Sequence, residues 1–229
     1  MAKLIVIPDC HGQEHWKMVR NKVEEVDFVI FLGDYWDHWT TGFNRQMSNF
    51  RQIIKFKLKH KDKVKLLWGN HETSYLLGER ASGYQYNNSF DIEGILRIKK
   101  SLIDVVFIQD DWIFAHGGVS KEWIKVAGIE NDVNRINQLF KDRPNFFRFV
   151  GPDSYGDNLN EGPLWIRPGS LKKTAIANLN QCIGHTEVMD GNVPVLIEHN
   201  NNGKLLLIDS PKHNCIIELD TKTGDYKRI

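Results

Sequence analysis

Cysteine, long apolar runs and an excess of either charge are all scarce in this sequence. The 229 residues include three cysteines and no C-x-x-C pair, which excludes a disulfide framework and argues against a thiolate metal site. No apolar stretch reaches the length of a signal-peptide core or a membrane span, so we expect a cytoplasmic protein without a membrane partner. Lysine and arginine number 30 against 29 acidic residues, and this balance argues against a strong nucleic-acid-binding surface.

What the sequence does contain is the composition of an ordinary globular protein, with 41% hydrophobic and 26% charged residues. A chain of this length can bury a sizeable core without disulfides. No internal repeat, low-complexity stretch or abrupt change of composition divides it. We therefore predict a single domain over residues 1–229.

Short apolar runs alternate with amphipathic stretches in the first part of the chain. The runs at residues 4–7, 28–32 and 64–68 are predicted strands, because near-continuous apolar runs are typical of strands buried on both faces. The stretches at residues 13–26 and 44–59 carry apolar side chains at helical spacing. This alternation predicts an α/β architecture with partly parallel strands.

Further strands are predicted later in the chain, at residues 105–108 and 112–115 and in the C-terminal third. The C-terminal runs, at residues 195–197, 204–208 and 215–219, are joined by segments rich in turn-forming residues. Turn-connected strands of this kind predict a second, mostly antiparallel sheet that packs on the first.

A polar cluster directly follows each predicted strand that could share one sheet edge. Ligands of open α/β sheets bind beyond the carboxyl ends of the strands, so side chains placed there can converge. Turn chemistry alone accounts for a single Asp beside a glycine, but it does not require imidazoles at the same places. The candidate site residues are Asp9, His11, Asp34, Asp37, Asn70, His71, His116 and His185.

This donor set is typical of a metal site. Carboxylate, imidazole and amide oxygen ligands without thiolates suit Mn, Fe, Zn, Ni or Co, and the sequence does not choose among them. The set exceeds what one hydrolytic ion needs, whereas two ions about 3.5–4 Å apart would use all of it. We therefore expect two divalent ions as cofactors, with Mn the first choice.

The polar clusters form five motifs in order along the chain: Asp9-Cys-His-Gly12, Gly33-Asp-Tyr-Trp-Asp37, Gly69-Asn-His-Glu72, His116-Gly-Gly118 and Gly184-His-Thr186. Taken in this order, they resemble the motifs of calcineurin-like metallophosphoesterases. The third and fourth motifs resemble those of the phosphoprotein phosphatase branch and its bacterial and phage relatives. The resemblance extends from residue 4 to residue 186, and five motifs in order, each after a predicted strand, are far more specific than one.

The resemblance implies a fold of two packed mixed β-sheets, a β-sandwich core flanked by helices. It also implies that a water bridging two metal ions attacks phosphorus in line. The implied ligands are Asp9 and His11 on the first ion, Asn70, His116 and His185 on the second, and Asp34 on both.

The resemblance further implies two catalytic residues that bind no metal. His71 would protonate the leaving oxygen, a role that suits imidazole near neutral pH. Asp37 would orient His71 and keep its ring charged, because a nearby carboxylate favours imidazolium.

The sequence departs from the phosphatase pattern at its phosphate-binding positions. The arginine that usually follows the second carboxylate of Gly-Asp-x-x-Asp is replaced by His38, which we retain as a candidate substrate contact. An imidazole cannot reproduce the bidentate fork of a guanidinium. Arg167 resembles a position from which related phosphatases supply such a group, and Arg97 is a weaker candidate.

Two segments rich in aromatic and turn residues, 82–88 and 143–162, admit two interpretations. Such segments often act as lids or recognition surfaces beside a site. They are equally consistent with ordinary surface loops whose phenylalanines enter the core.

We predict a metal-dependent phosphomonoesterase similar to serine/threonine protein phosphatases, acting on a phosphorylated protein or a small phosphate ester. A dinucleoside polyphosphate or nucleotide hydrolase is an alternative, with a base stacked on Trp39, Tyr84 or Tyr86. A phosphodiesterase acting on RNA ends or cyclic nucleotides is another. A catalytically silent binding module is disfavoured because every metal position is chemically intact.

Overall fold

The computed structural model describes residues 2–129, 132–151, 157–189, 193–212 and 214–229. Its core consists of two β-sheets that pack face to face, with helices on their outer faces. Within the described ranges, no helix combines the length and the apolar character that a bilayer crossing requires.

The first sheet has six strands, and its central strands are parallel. β1, β2, β3 and β4 follow one another in space, each parallel to its neighbour. β10 pairs with the free edge of β1 in antiparallel orientation, and β11 pairs with β10. The strands are β1 (Lys3–Ile7), β2 (Phe28–Phe31), β3 (Val64–Leu67), β4 (Ile103–Asp104), β10 (Ile217–Asp220) and β11 (Tyr226–Arg228).

The second sheet has five strands in the order β5-β6-β7-β9-β8. β6, β7 and β9 are parallel neighbours, and only the two outer pairs are antiparallel. The strands are β5 (Val106–Gln109), β6 (Trp112–Ala115), β7 (Asn180–Ile183), β8 (Val195–His199) and β9 (Gly203–Leu207).

The sequence-based expectation of a mostly antiparallel second sheet was wrong. The last predicted strand does not join that sheet, because β10 covers the edge of β1 that would otherwise present unpaired backbone groups. β7 lies between β6 and β9 in parallel, and this arrangement directs the carboxyl ends of β6 and β7 to the same side. The broader prediction of two packed mixed sheets flanked by helices is confirmed.

The α-helices occupy the outer surfaces, and the longest of those named below has 17 residues. The predicted helix at residues 13–26 is a 3-10 helix over His15–Glu25, in which Trp16 and Val19 bury side chains three residues apart. A spacing of three suits this geometry, since side chains at i and i+3 eclipse in a 3-10 helix. The α-helices are α1 (Phe43–Lys59), α2 (Asn70–Leu77), α3 (Ser89–Lys99), α4 (Lys121–Ala127), α5 (Ile136–Asp142) and α6 (Pro168–Thr174).

Alternation along β1 explains the layering. Ile5 and Ile7 face the helices, where they join a cluster that includes Phe50 of α1. Leu4 and Val6 face the second sheet and belong to a separate cluster between the sheets. Burial on both faces contributes about 1.5–3 kcal/mol per large aliphatic side chain, so the strand is fixed in register.

Candidate metal centre

The loops that follow five strands meet at one edge of the sandwich. The loops after β1 and β2 are hydrogen-bonded to each other, with His11 N donating to Asp34 O at 2.6 Å. The loops after β6 and β7 are joined in the same way, with Gly184 N donating to His116 O at 2.9 Å. The two sheets therefore bring all eight candidate residues to the same edge.

Asp34 lies at the centre of this cluster. Its Oδ2 is 3.4 Å from His116 Nε2, and it is 3.6 Å from His11 Nε2 and 3.7 Å from His71 Nε2. Its Oδ1 accepts a hydrogen bond of 3.1 Å from His71 N, in the first turn of α2. The Asp34 carboxylate thus contacts imidazoles that follow strands of both sheets.

Asp9, Asn70 and His185 complete the cluster on its other side. His185 N donates to Asp9 Oδ1 at 3.1 Å, which ties the loop after β7 to the loop after β1. Asn70 Oδ1 lies 2.8 Å from His116 Nε2 and 3.1 Å from His185 Nδ1. The side chains of both sheets therefore converge on the same small volume.

Backbone carbonyls fix the orientation of three imidazoles. A carbonyl oxygen can only accept, so the ring nitrogen that contacts it carries the proton. In the neutral ring the other nitrogen then has a lone pair, and here it faces the cluster. This is the support that metal-binding histidines ordinarily have. The contacts are His11 Nδ1 to Trp36 O (2.7 Å), His116 Nδ1 to Leu32 O (3.0 Å) and His185 Nε2 to Trp165 O (3.0 Å).

The electrostatics of the cluster favour the binding of cations. Burial, Asp209 and Asp34 raise the pKa of Asp9 well above its ordinary value. Burial would lower the pKa of His116, but Asp34 and Asp9 outweigh it and raise the pKa to about 9. Buried carboxylates that face one another in this way need positive charge between them.

Two groups of ligand atoms each converge within 4.8 Å, and they share Asp34. One group consists of His11, Asp34 and His71, and the other of Asp9, Asp34 and His116. Oriented imidazoles and buried carboxylates without thiolates match the ligand preferences of Mn, Fe or Zn. The residues present therefore fit divalent metal ions.

Asp37 and His71 form a buried pair beside the cluster. Asp37 Oδ2 accepts from His71 Nδ1 at 2.9 Å. Burial would lower the pKa of His71, but Asp34 and Asp37 outweigh it and raise the pKa to about 9. The imidazolium form is therefore favoured near neutral pH, with Nε2 facing the centre.

Both predicted substrate contacts line the same cavity. Arg167 donates from Nη1 to Thr186 Oγ1 at 3.1 Å, and burial lowers the pKa of its guanidinium. His38 also lines the cavity, but its Nδ1 is 3.0 Å from Thr41 N and its Nε2 is 2.5 Å from the Gln13 amide. These bonds hold the His38 ring in its own loop.

Arg97, the weaker candidate, lies outside this cavity. It is exposed on α3 and pairs with Glu93 one helical turn away.

This cavity, which we call the metal cavity, has a volume of about 850 Å³, within the range of roughly 300–1,000 Å³ that small-molecule sites occupy. Two loop segments were given two interpretations from the sequence, and one of them, residues 82–88, contributes Ser82 to the wall of this cavity. Segment 143–162 contributes Phe149 to the wall and Phe147 to the core, while residues 152–156 lie outside the described ranges. Each segment thus combines both interpretations, with some side chains in the cavity wall and others elsewhere.

Two buried acids at this edge were not among the candidate site residues, although Glu72 is the last residue of the third motif. Glu72 accepts from Tyr35 N at 2.7 Å and from Gly69 N at 3.1 Å, so it joins the loops after β2 and β3. Asp209 lines the cavity, and burial together with Glu187 raises its pKa to about 8. Asp209 directly follows an apolar run, the same pattern that identified Asp9.

Left-handed backbone is concentrated at the site. Residues other than glycine rarely adopt positive φ, and such residues cluster where function constrains the chain. Four of the eight candidate residues do so: His11 (φ 40°), Asp34 (φ 48°), Asp37 (φ 70°) and His185 (φ 61°).

Comparisons with known proteins agree with this geometry. The profile of the calcineurin-like phosphoesterases matches residues 2–178. The catalytic subunit of serine/threonine-protein phosphatase 6 of Drosophila melanogaster is 25% identical over 228 residues, covering 92% of this chain and 70% of that protein.

Two solved structures share the fold. A cold-active protein-tyrosine phosphatase of a psychrophilic Shewanella species has a TM-score of 0.60 at 19% identity, covering 100% of this chain and 80% of that one. A protein serine/threonine phosphatase of Saccharomyces cerevisiae has a TM-score of 0.54 at 14% identity, covering 97% and 75%.

Proposed function

The chain belongs to the calcineurin-like phosphoesterase family and is a phosphoester hydrolase, and we propose that it is a phosphomonoesterase of the phosphoprotein phosphatase type. Its substrates would be phosphoserine, phosphothreonine or small phosphate esters. The observation that carries this proposal is the convergence of both sheets on Asp34, with the paired Asp37 and His71 beside it.

Two divalent ions, with Mn the first choice, would be held by this cluster. When bound, they supply the Lewis acidity that activates water and neutralises phosphoryl charge. Their ligands would be Asp9, His11, Asp34, Asn70, His116 and His185.

The remaining steps belong to the protein. His71 donates its Nε2 proton to the leaving oxygen, and Asp37 holds the ring in the orientation that makes this possible. Arg167, which lines the same cavity, supplies the guanidinium that the motif lacks after Asp37 and binds phosphate oxygens. Thr186 fixes that guanidinium at 3.1 Å.

Activity with two leaving groups tests these roles. Purified protein given Mn should release phosphate from p-nitrophenyl phosphate and from phosphoserine. We expect Asp34→Asn to lose about 100-fold or more on both substrates. His71→Asn should lose about 10²–10⁴-fold on phosphoserine, whose alkoxide needs a proton, and much less on the good leaving group nitrophenolate.

Asp225→Asn is the matched control, since Asp225 is exposed in the turn between β10 and β11. Metal analysis of the purified protein should find about two equivalents per chain. If the protein released no phosphate with any of Mn, Fe, Zn, Ni or Co, the proposal would be refuted.

Nucleotide hydrolysis is a second candidate, because aromatic side chains adjoin the metal cavity. Trp39 lies on its rim with 77% of its surface exposed. Exposed aromatic rings beside a phosphate site are suited to stacking on a base.

A further inference from the structure

A second cavity, of about 510 Å³, opens beside the metal cavity. We call it the aromatic cavity. The two cavities share His38, Trp39 and Ala81, so Trp39 stands on the rim between them. Its lining combines three aromatic rings with polar side chains: Trp39, Tyr84 and Tyr86, with Thr41, Gln46 and Gln85.

Trp39 is exposed but its loop is fixed. Gln46, from α1, donates to Thr41 O at 2.6 Å and to His38 O at 3.3 Å, and it accepts from His38 N at 3.3 Å. The His38 ring accepts from Thr41 N at 3.0 Å within the same turn. An exposed indole on a rigid loop loses little conformational entropy when a ligand covers it.

The tyrosines of the aromatic cavity are also ordered. Tyr84 stacks on buried Tyr75 at 4.4 Å between ring centroids, and Tyr86 meets Tyr84 edge-on at 5.0 Å. The Arg80 guanidinium lies 5.0 Å from the centroid of Tyr86, whose surface is 60% exposed. The aromatic cavity therefore presents the exposed rings of Trp39 and Tyr86, and Arg80 adds a cation that lines the metal cavity.

We propose that the aromatic cavity binds the base of a nucleoside phosphate whose phosphoryl group enters the metal cavity. This inference rests on the proposed function and narrows its substrate to nucleotides. A planar base can stack on the exposed Trp39 ring, and stacking of this kind does not depend on which base is present. Arg80 and Arg167 place positive charge where the phosphate must lie.

Polar groups in the aromatic cavity favour a base over a hydrocarbon ring. The Thr41 hydroxyl and Gln85 Oε1 can exchange hydrogen bonds with the nitrogen and oxygen atoms on the edge of a base. Gln46 also lines the cavity, but it is buried and its amide is already bonded to the His38–Thr41 turn and to Gln85. The ring of a phenylalanine or the apolar edge of a phosphotyrosine would cover the same groups without replacing their bonds to water, at a cost in binding.

A matched pair of substrates isolates the contribution of the base. AMP and ribose 5-phosphate share the sugar phosphate and differ at C1′, where AMP carries adenine and ribose 5-phosphate a hydroxyl group, so the ratio of their kcat/KM values measures what the base adds. We expect wild-type protein to prefer AMP by about tenfold or more, as stacking energies imply. Trp39→Ala should remove most of that preference through KM, while Trp39→Phe should retain it.

Phe90→Ala is the control, because Phe90 is 86% exposed on α3 and lines neither cavity. Calorimetric titration of Mn-loaded His71→Asn protein with AMP and with ribose 5-phosphate gives a readout that does not require turnover. Tighter binding of AMP that depends on Trp39 supports the base site even if no substrate is hydrolysed. Hydrolysis without any base preference refutes the base site and leaves the proposed function intact.

Phosphopeptides provide the opposing outcome. If phosphotyrosine or phosphoserine peptides showed the dependence on Trp39 and AMP did not, the aromatic cavity would be a peptide site and the assignment to nucleotides would be wrong.

Discussion

Asp37 has hydrogen-bond partners on both of its carboxylate oxygens. Oδ2 accepts from His71, while Oδ1 accepts from the Tyr75 hydroxyl at 2.6 Å and from the Gln85 amide at 3.1 Å. Because Oδ1 is bonded to these two donors, Oδ2 is directed at His71 Nδ1. The imidazole is thereby held in the orientation that a proton donor needs, with Nε2 towards Asp34.

Removing the Tyr75 hydroxyl should impair turnover without impairing binding. Tyr75→Phe keeps the stacking on Tyr84 but loses a hydrogen bond to a carboxylate, which is worth about 1.5–3 kcal/mol. If about half of that loss reaches the transition state, kcat on phosphoserine falls roughly four- to twelvefold while KM is unchanged. Steady-state kinetics checks the split, with Tyr226→Phe on β11 as the control. A lower melting temperature with unchanged kcat would contradict the positioning role.

The site residues differ in how visible they are in the sequence. Asp34 and His116 stand in motifs after apolar strands, so pattern and order suffice to identify them as candidates. Tyr75 lies inside α2, five residues after Asn70, and no local pattern distinguishes it from a core tyrosine. Its role depends on the contact with Asp37, from a different loop, and such contacts exist only in the folded chain.

At the level of the elements, close packing of the loops defines the site. A Cβ added at Gly69 would lie 2.0 Å from Asp34 Oδ1, and one at Gly184 would lie 2.2 Å from Asp9 Oδ1. Both glycines allow a backbone segment to pass against a carboxylate. The loops therefore position the carboxylates by direct contact as well as by hydrogen bonds.

Gly184→Ala should damage the centre more than it damages the fold. The new methyl group must displace Asp9, so we expect at least a tenfold loss of kcat/KM and weaker binding of Mn. Gly94→Ala, on α3, is the matched control because nothing lies within 4 Å of its added Cβ. That variant should keep full activity and gain about 0.5–1 kcal/mol in stability. Equal effects of the two variants on activity would contradict this prediction.

Sequence patterns identified the elements more reliably than their pairing. The apolar runs at residues 4–7 and 28–32 became β1 and β2, because burial on both faces requires continuous apolar sequence. The strand with which the run at residues 215–219 pairs was not predictable from its local pattern. It pairs with β1, and the choice depends on which sheet edge is open when the chain folds.

For the molecule as a whole, the candidate metal centre lies where the two sheets meet. Asp9 and Asp34 belong to loops of the first sheet, whereas His116 and His185 follow strands of the second. Ions bound between these side chains would hold the edges of the sandwich together. Metal binding should therefore be coupled to global stability.

Thermal unfolding should respond to Mn in a concentration-dependent way. A ligand that binds only the folded state stabilises it by about 2.7 kcal/mol at 100 times its dissociation constant, and this corresponds to several degrees in a protein of this size. Scanning calorimetry across a series of Mn concentrations tests this expectation, with a chelator as the reference. Asp34→Asn should abolish the shift and Asp225→Asn should preserve it. A melting temperature that is independent of Mn in the wild-type protein would be inconsistent with ions that join the sheets.

The pairing of β1 with β10 has a consequence for how the chain reaches this structure. Val6 lies opposite Ile217, so one side of a strand at the centre of the sheet is completed by residues almost the whole sequence away. Contacts of such long range slow folding, because a very large loop must close before they form. Until that closure, β1 exposes an apolar edge on which nascent chains could associate, and we expect refolding yields to fall as protein concentration rises.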